Sequence, residues 1–150
     1  MIVLLDSGVL GMVCHSDSTS KEIQECNEWL EKLLGAGHTV CIPEICDYEI
    51  RRNLILEELR QSISNLDSLQ EVLEYLPLNT AVLLEAAEFW AAAHKQKTPT
   101  AGKEELDVDM ILCAHAKVGI TYGTGVVIAT TNPGHIGLFA EAKKWRDIAI

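Results

Sequence analysis

The apolar run Ile2-Val3-Leu4-Leu5, stopped at Asp6, constrains this chain more than any other feature. Four consecutive aliphatic residues bounded by a polar turn predict a buried strand. Asp6 then stands at the C-terminal end of that strand, where open α/β sheets place their ligands. A carboxylate there is costly to bury unless it is paired or bound to a metal. Several such carboxylates converging would form an oxygen-rich site for Mg²⁺ or Mn²⁺.

The rest of the chain predicts strands alternating with helices, and hence an α/β sheet with parallel strands. A short helix is expected from near Val9. The polar stretch Ser16-Asp17-Ser18-Thr19-Ser20 precedes Ile23, Cys26, Leu30, Leu33 and Leu34, which recur at helical spacing. Thr19 and Glu22 have the spacing of a capping box, and Gly35 is the expected residue just past that helix. Thr39 to Ile42 predicts a second strand. Pro43 ends it and opens a helix carrying Glu44 to about Asn65. Ser68 to Leu76 is expected to be a short helix. Thr80 to Lys95 is expected to be a longer one, with Leu83, Leu84, Ala87, Trp90 and Ala91 on one face. Residues 96–105 read as a polar loop, and Asp107 as the N-cap of a helix from Val108 to Val118. Gly125 to Ala129 predicts a third strand, followed by the polar loop Thr130-Thr131-Asn132-Pro133-Gly134-His135 and a last short helix.

The length of 150 residues fits one domain spanning 1–150, and 48% hydrophobic with 23% charged residues is a globular composition. The chain has no apolar stretch of membrane-spanning length, and Asp6 interrupts the N-terminus too early for a signal peptide, so a cytoplasmic location is expected. Cys14, Cys26, Cys41, Cys46 and Cys113 are odd in number, lack a CxxC pair and sit in apolar pattern, which predicts reduced core thiols. The net charge of −10, with only 12 Lys and Arg, is unusual for a protein that grips nucleic acid by its phosphates. Nucleic-acid binding should therefore be weak without metal, and a basic partner is an alternative.

Each candidate acid has a structural alternative. Asp6 could cap a helix, since Asp-Ser-Gly is also turn chemistry. Glu49 could face solvent; Asp47–Arg51 and Glu49–Asn53 are (i, i+4) pairs, the first a plausible surface salt bridge. Glu44 competes with Glu49, but it falls in a first helical turn, where acids are ordinary. Asp107 and Asp109 are two residues apart, about 200° around a helix, so they cannot face one way. The economical division makes Asp107 the cap and Asp109 the inward acid, with a reach of Asp107 to the metal left open. The five histidines lack metal-ligand spacing. His115 reads as a partly exposed helix residue and His135 as a loop residue near the site. No phosphate-cradling glycine motif and no nucleophile elbow is present.

Four blocks in order resemble the PIN-domain family, the fold of VapC-type toxin ribonucleases. IVLLDSGVLG resembles the first strand with its catalytic Asp, here Asp6. IPEICDYEIRRNL resembles the segment with the site Glu, here Glu49. LDVDMILCAHA resembles the Asp-x-x-Ile-Ala-Ala helix, its acid at Asp109. VIATTNPGHI resembles the fourth block, with Thr130 and Asn132 at the Thr-x-Asn/Asp positions, and the closing AKKWRDI is similar too. Asn132 stands where many PIN nucleases carry Asp, Ile136 replaces the usual Phe, and Cys113 replaces a common Ala. These departures leave the three core acids in place and leave room for attenuated or metal-selective activity.

The resemblance implies a PIN-like three-layer α/β/α sandwich with a twisted, mainly parallel sheet. It implies a Mg²⁺- or Mn²⁺-dependent endoribonuclease, with Asp6, Glu49 and Asp109 as metal ligands, Asp107 as a further candidate ligand, and Thr130 and Asn132 as hydrogen-bonding site residues. It also implies an RNA substrate, an antitoxin partner and a homodimer. Arg51 and Arg52 could contact RNA or lie on a solvated face. Two rivals remain. A haloacid-dehalogenase-like phosphatase also uses a first-strand Asp, but it needs a second acid where this chain has Gly8. A PIN-like module that binds RNA or protein without cleaving is favoured by the acidic charge and by Asn132.

Overall fold

The computed structural model describes residues 1–17, 19–96, 103–123 and 125–150, with the backbone alone at 103–105. At the centre of the sheet is β1 (Ile2–Leu5), every residue of which is buried, as its unbroken apolar run requires. It pairs in parallel with β2 (Thr39–Pro43) on one side and β4 (Val126–Thr130) on the other, so Leu4 lies between Cys41 and Ile128. The edge strands are β3 (Glu74–Leu76) beside β2 and β5 (Ala142–Lys144) beside β4, both parallel. The resulting strand order is β3-β2-β1-β4-β5.

Each of the first three crossovers carries two helices: α1 (Ser7–Cys14) and α2 (Lys21–Gly35), then α3 (Glu44–Leu56) and α4 (Arg60–Leu69), then α5 (Thr80–Lys95) and α6 (Lys103–Val118). The first two crossovers step outward in one direction and the third steps back across β1. With right-handed crossovers, α5 and α6 cover the face opposite the first four helices. The result is a PIN-like α/β/α sandwich built on a wholly parallel sheet. The chain closes with Trp145 buried against Trp29 of α2, ring centres 5.7 Å apart. No helix among the described residues is long and apolar enough to cross a membrane.

Several boundaries differ from expectation, each for a local reason. Ser20, not Thr19, caps α2, accepting a hydrogen bond from the Ile23 amide. Gly37 rather than Gly35 turns that helix off, at φ 83°, with its amide on the Leu34 carbonyl and that of His38 on Leu33. The helix expected to run to Asn65 breaks after Leu56. Glu58 takes the left-handed conformation at φ 56°, while the Glu58 and Leu59 amides bond back to Ile55 and Leu54. This is a Schellman closure without the glycine that normally signals one. The helix expected at Ser68 to Leu76 is instead the end of α4 followed by β3.

On α5 the face expected to be apolar points outward: Leu83, Leu84 and Trp90 are exposed, while Val82, Ala86 and Ala93 are buried and Phe89 packs against the core. Small side chains let α5 approach α6, where Val82 and Ala86 pack with Ala114. Helix α6 begins at Lys103, so Asp107 lies inside it and does not cap it. The loop expected at 96–105 otherwise falls on 97–102, outside the described residues, as does Ser18 of the loop before α2. His115 is fully buried rather than partly exposed. All five cysteines are free and buried.

Candidate metal centre

Strands β1 and β4 are neighbours, yet the chain leaves them in opposite directions. Their C-terminal ends therefore flank the switch point at which such sheets open a crevice. Asp6 follows β1, and its amide continues the ladder by donating to the Ala129 carbonyl at 3.0 Å. Its side chain has two tasks. Oδ1 accepts from the Ser7 amide at 2.7 Å and so caps α1, while Oδ2 accepts from the Thr130 hydroxyl at 2.6 Å. Thr130 is buried, and its oxygen in turn accepts from the Asn132 amide at 3.1 Å. Asp6 thus caps α1 and anchors the end of β4 at once. Gly8 permits the first turn of α1 to close on the loop after β4, since a Cβ there would lie 3.1 Å from Thr131 Oγ1.

Helix α3 divides its polar residues between two faces. Glu44 accepts from the Leu78 amide at 2.8 Å and from the Tyr75 hydroxyl at 3.3 Å, tying the helix to the end of β3. Asp47, 4% exposed, accepts from Arg51 Nε at 2.7 Å and Nη2 at 3.2 Å and from Gln70 at 3.3 Å. Arg51 also bridges to Asp67 of α4 at 2.8 Å. Asp47–Arg51 is therefore an internal clamp between α3 and α4 rather than a surface pair, and it pushes the Arg51 guanidinium pKa further up. On the other face Glu49, Arg52 and Asn53, at (i, i+3, i+4) spacing, line the crevice.

Asp109 of α6 completes the acidic lining, and Ser7, Thr131, Asn132, Gly134 and His135 form the rest of the polar wall. Asp107 is exposed and lines a different groove, between α5 and α6, with Leu83, Trp90 and Met110. The structure therefore brings Asp6, Glu49, Asp109, Thr130 and Asn132 together and leaves Asp107 apart. The crevice roles of Arg52 and Asn53 were not separable from a solvated helix face by spacing alone.

The electrostatic signature of the crevice appears beneath it. Cys46 is fully buried at the start of α3. Desolvation pushes its thiol pKa well up, and the charges of Asp6, Glu49 and Asp109 push it further. Burial, then Asp109 and Asp6, likewise push Cys113 up to about 12. Three carboxylates on three separate elements thus act on one thiol. Among the described residues, no three His, Cys, Asp or Glu side chains stand close enough together to hold a metal ion. Like charges sharing a crevice repel one another. The donor chemistry fits a hard divalent cation: carboxylates, a hydroxyl and an amide oxygen, with the thiols held beneath the surface.

No family model matches the chain, and no curated protein matches it. Solved structures do. A chain of VapBC2 from Rickettsia felis, bound to a DNA fragment from its promoter, superposes with a TM-score of 0.69 at 15% identity, covering 97% of this chain and 99% of that one. The fold is PIN-like. A chain of VapBC-1 from nontypeable Haemophilus influenzae gives 0.63 at 15% identity over 98% of this chain and 100% of its own. DNA-bound VapBC from Salmonella typhimurium gives 0.63 at 16% identity over 97% and 98%. In this PIN-like frame the crevice lies at the β1–β4 switch point.

Proposed function

We propose that this chain is a metal-dependent endoribonuclease of the VapC toxin type, a single PIN-like domain over 1–150, acting in the cytoplasm. One observation carries the reading: Asp6, Glu49 and Asp109, from three elements far apart in sequence, line one crevice and bias the same buried thiol. Bound Mg²⁺ or Mn²⁺ would supply an activated water and positive charge against the phosphate. The chain's own residues supply the rest. Asp6, Glu49 and Asp109 would hold the ion. Thr130 fixes the Asp6 carboxylate and is itself fixed by the Asn132 amide, an arrangement of the kind that orients metal ligands. The Asn132 side chain contributes hydrogen bonding without charge.

The VapBC likeness supports an antitoxin partner, and the uncovered apolar side chains Leu83, Leu84 and Trp90 on α5 support protein association, including the proposed homodimer. The spread of the carboxylates and the neutral Asn132 favour a second reading, a PIN-like module that binds RNA or protein without cleaving it.

Incubating a panel of RNAs with the purified protein, with and without Mn²⁺ or Mg²⁺, separates the two. The nuclease should cleave only with metal. Asp109→Asn should lose more than the roughly 10- to 100-fold that outer-shell substitutions cost, while Asp107→Asn keeps its activity. A wild type inert with both metals gives the case to the binding module. An Asp107→Asn variant as inactive as Asp109→Asn returns Asp107 to the site.

A further inference from the structure

The crevice faces a polyanion with three carboxylates, in a chain of net charge −10. An RNA strand can settle there only if some cation meets its phosphates. Helix α3 offers two adjacent arginines, about 100° apart around the axis. Arg51 is already engaged, by Asp47 at 2.7 Å and Asp67 at 2.8 Å. Arg52 points the other way. It is exposed, and among the described residues it forms no ion pair and is the one Lys or Arg that lines the crevice. Its guanidinium lies 5.2 Å from the centre of the Tyr48 ring, one turn back on the same face. An aromatic face holds a guanidinium in place without neutralising it, so the donors stay available.

We infer that Arg52 is the substrate contact of the crevice, binding a phosphodiester that flanks the scissile one, with Tyr48 as its positioning residue. The inference rests on the ribonuclease reading above and names a side-chain cation that, beside the metal, helps an acidic site to hold RNA. A planar fork matches two oxygens of one phosphate, which fixes the register of the strand against the three acids. Asn53, beside it on the same wall, is placed to donate to the same backbone.

The test uses the full chain and a short fluorescein-labelled single-stranded RNA of mixed sequence. Binding is read by anisotropy in EDTA, in the Asp109→Asn background, at several salt concentrations. Arg52→Gln should weaken binding roughly tenfold, the loss of one charge-assisted contact. It should also flatten the slope of log K against log salt by about 0.7, one phosphate contact on a single strand. Arg52→Lys should fall between, and Tyr48→Ala should weaken binding about two- to fivefold while Tyr48→Phe does not. Arg60→Gln, an exposed arginine of α4 outside the crevice, should change neither affinity nor slope. In parallel, Mn²⁺-dependent cleavage by Arg52→Gln should show a raised KM with kcat little changed.

An unchanged salt slope and affinity in Arg52→Gln overturn the inference. If the background protein binds too weakly to measure, the KM–kcat split decides, and a fall in kcat alone, or no change, overturns it. A wild type that neither binds nor cleaves RNA overturns the ribonuclease reading itself. A wild type that cleaves while Arg52→Gln is indistinguishable from it overturns only the role of Arg52.

Discussion

The Thr130 hydroxyl donates to Asp6 Oδ2 across 2.6 Å, joining the ends of two adjacent strands that lie 124 residues apart in the chain. The bond does for Asp6 what the cap to Ser7 does for its other oxygen. Together they leave the carboxylate one orientation, toward the crevice. Removing the hydroxyl frees one oxygen of Asp6 and leaves the Asn132 amide without its acceptor. Thr130→Val should therefore cost about 1–3 kcal/mol in urea unfolding. It should also lower metal-dependent RNA cleavage roughly 10- to 100-fold, as outer-shell losses do. Thr130→Ser keeps the oxygen and should recover most of both. A Val variant with wild-type cleavage would show that Asp6 needs no second anchor.

Cation binding should stabilise the protein, because it relieves repulsion among Asp6, Glu49 and Asp109 and because a ligand that binds only the folded state adds stability by mass action. At a hundredfold excess over Kd the gain is about 2.7 kcal/mol. Thermal unfolding with rising Mn²⁺ or Mg²⁺ measures it. Asp6→Asn is the informative control, since Asn is also a good N-cap for α1 and the fold should persist while the metal-dependent rise shrinks. An equal rise in parent and variant would assign the effect to nonspecific ion binding.

The central half of the site was legible in the sequence because its supports are continuous apolar runs that stop at polar residues. Ile2 to Leu5 before Asp6 and Val126 to Ala129 before Thr130 are of that kind. The edges of the sheet were not legible. Glu74-Tyr75-Leu76 and Ala142-Lys143-Lys144 are three-residue strands, too short for periodicity, and the lysines of β5 mark an edge rather than a core. Glu49 kept a solvent-facing alternative until the resemblance was added, and Asp109 was chosen as the inward acid on the premise that Asp107 caps α6, whereas the helix begins at Lys103. Arg51 and Arg52 are neighbours of identical type. What separates them is Asp47, legible from its (i, i+4) spacing to Arg51, together with Asp67 on α4, a tertiary partner with no local signal. Helix α5 misled for the opposite reason: its pattern was clear, but the close approach to α6 favoured small residues at the buried face.

His115 gives the pH dependence a direction. It is fully buried, neither ring nitrogen has a hydrogen-bond partner among the described residues, and desolvation pushes its pKa down from 6.5 to about 4 against a weaker opposing pull from Glu44. The folded protein thus keeps the ring neutral at pH values where the unfolded chain binds a proton. The contribution to stability is intact above the unfolded value of 6.5 and is lost as pH falls from there toward about 4. The slope from this one group approaches about 1.4 kcal/mol per pH unit within that window. His115→Leu should flatten the acid limb of a stability–pH curve relative to wild type, and it should not lower stability at neutral pH by more than a modest packing change. Parallel curves for the two proteins between pH 6.5 and 4 would remove His115 from the account.

Glu58 is the one non-glycine residue with a positive φ among those described, and it sits where α3 turns into α4. A left-handed conformation costs an L-residue about 1–2 kcal/mol, and glycine avoids that cost while giving back part of it as extra freedom in the unfolded chain. The Glu58 side chain is exposed, and the two closing hydrogen bonds are made by backbone amides, so a glycine keeps both. Glu58→Gly should therefore stabilise the protein by about 0.5–1 kcal/mol and raise Tm by roughly 1–4 °C for a chain of this size. Glu58→Val should act in the other direction, because a β-branched side chain tolerates this conformation least. Urea unfolding with an unchanged m value is the cleaner readout, since a shift in midpoint alone reports stability. The turn also sets the angle at which α4 presents Asp67 to Arg51, so RNA affinity and salt slope in Glu58→Gly should match wild type if the backbone geometry is retained. A lower urea midpoint for Glu58→Gly would mean that the Glu58 side chain stabilises the turn by an amount exceeding its backbone strain.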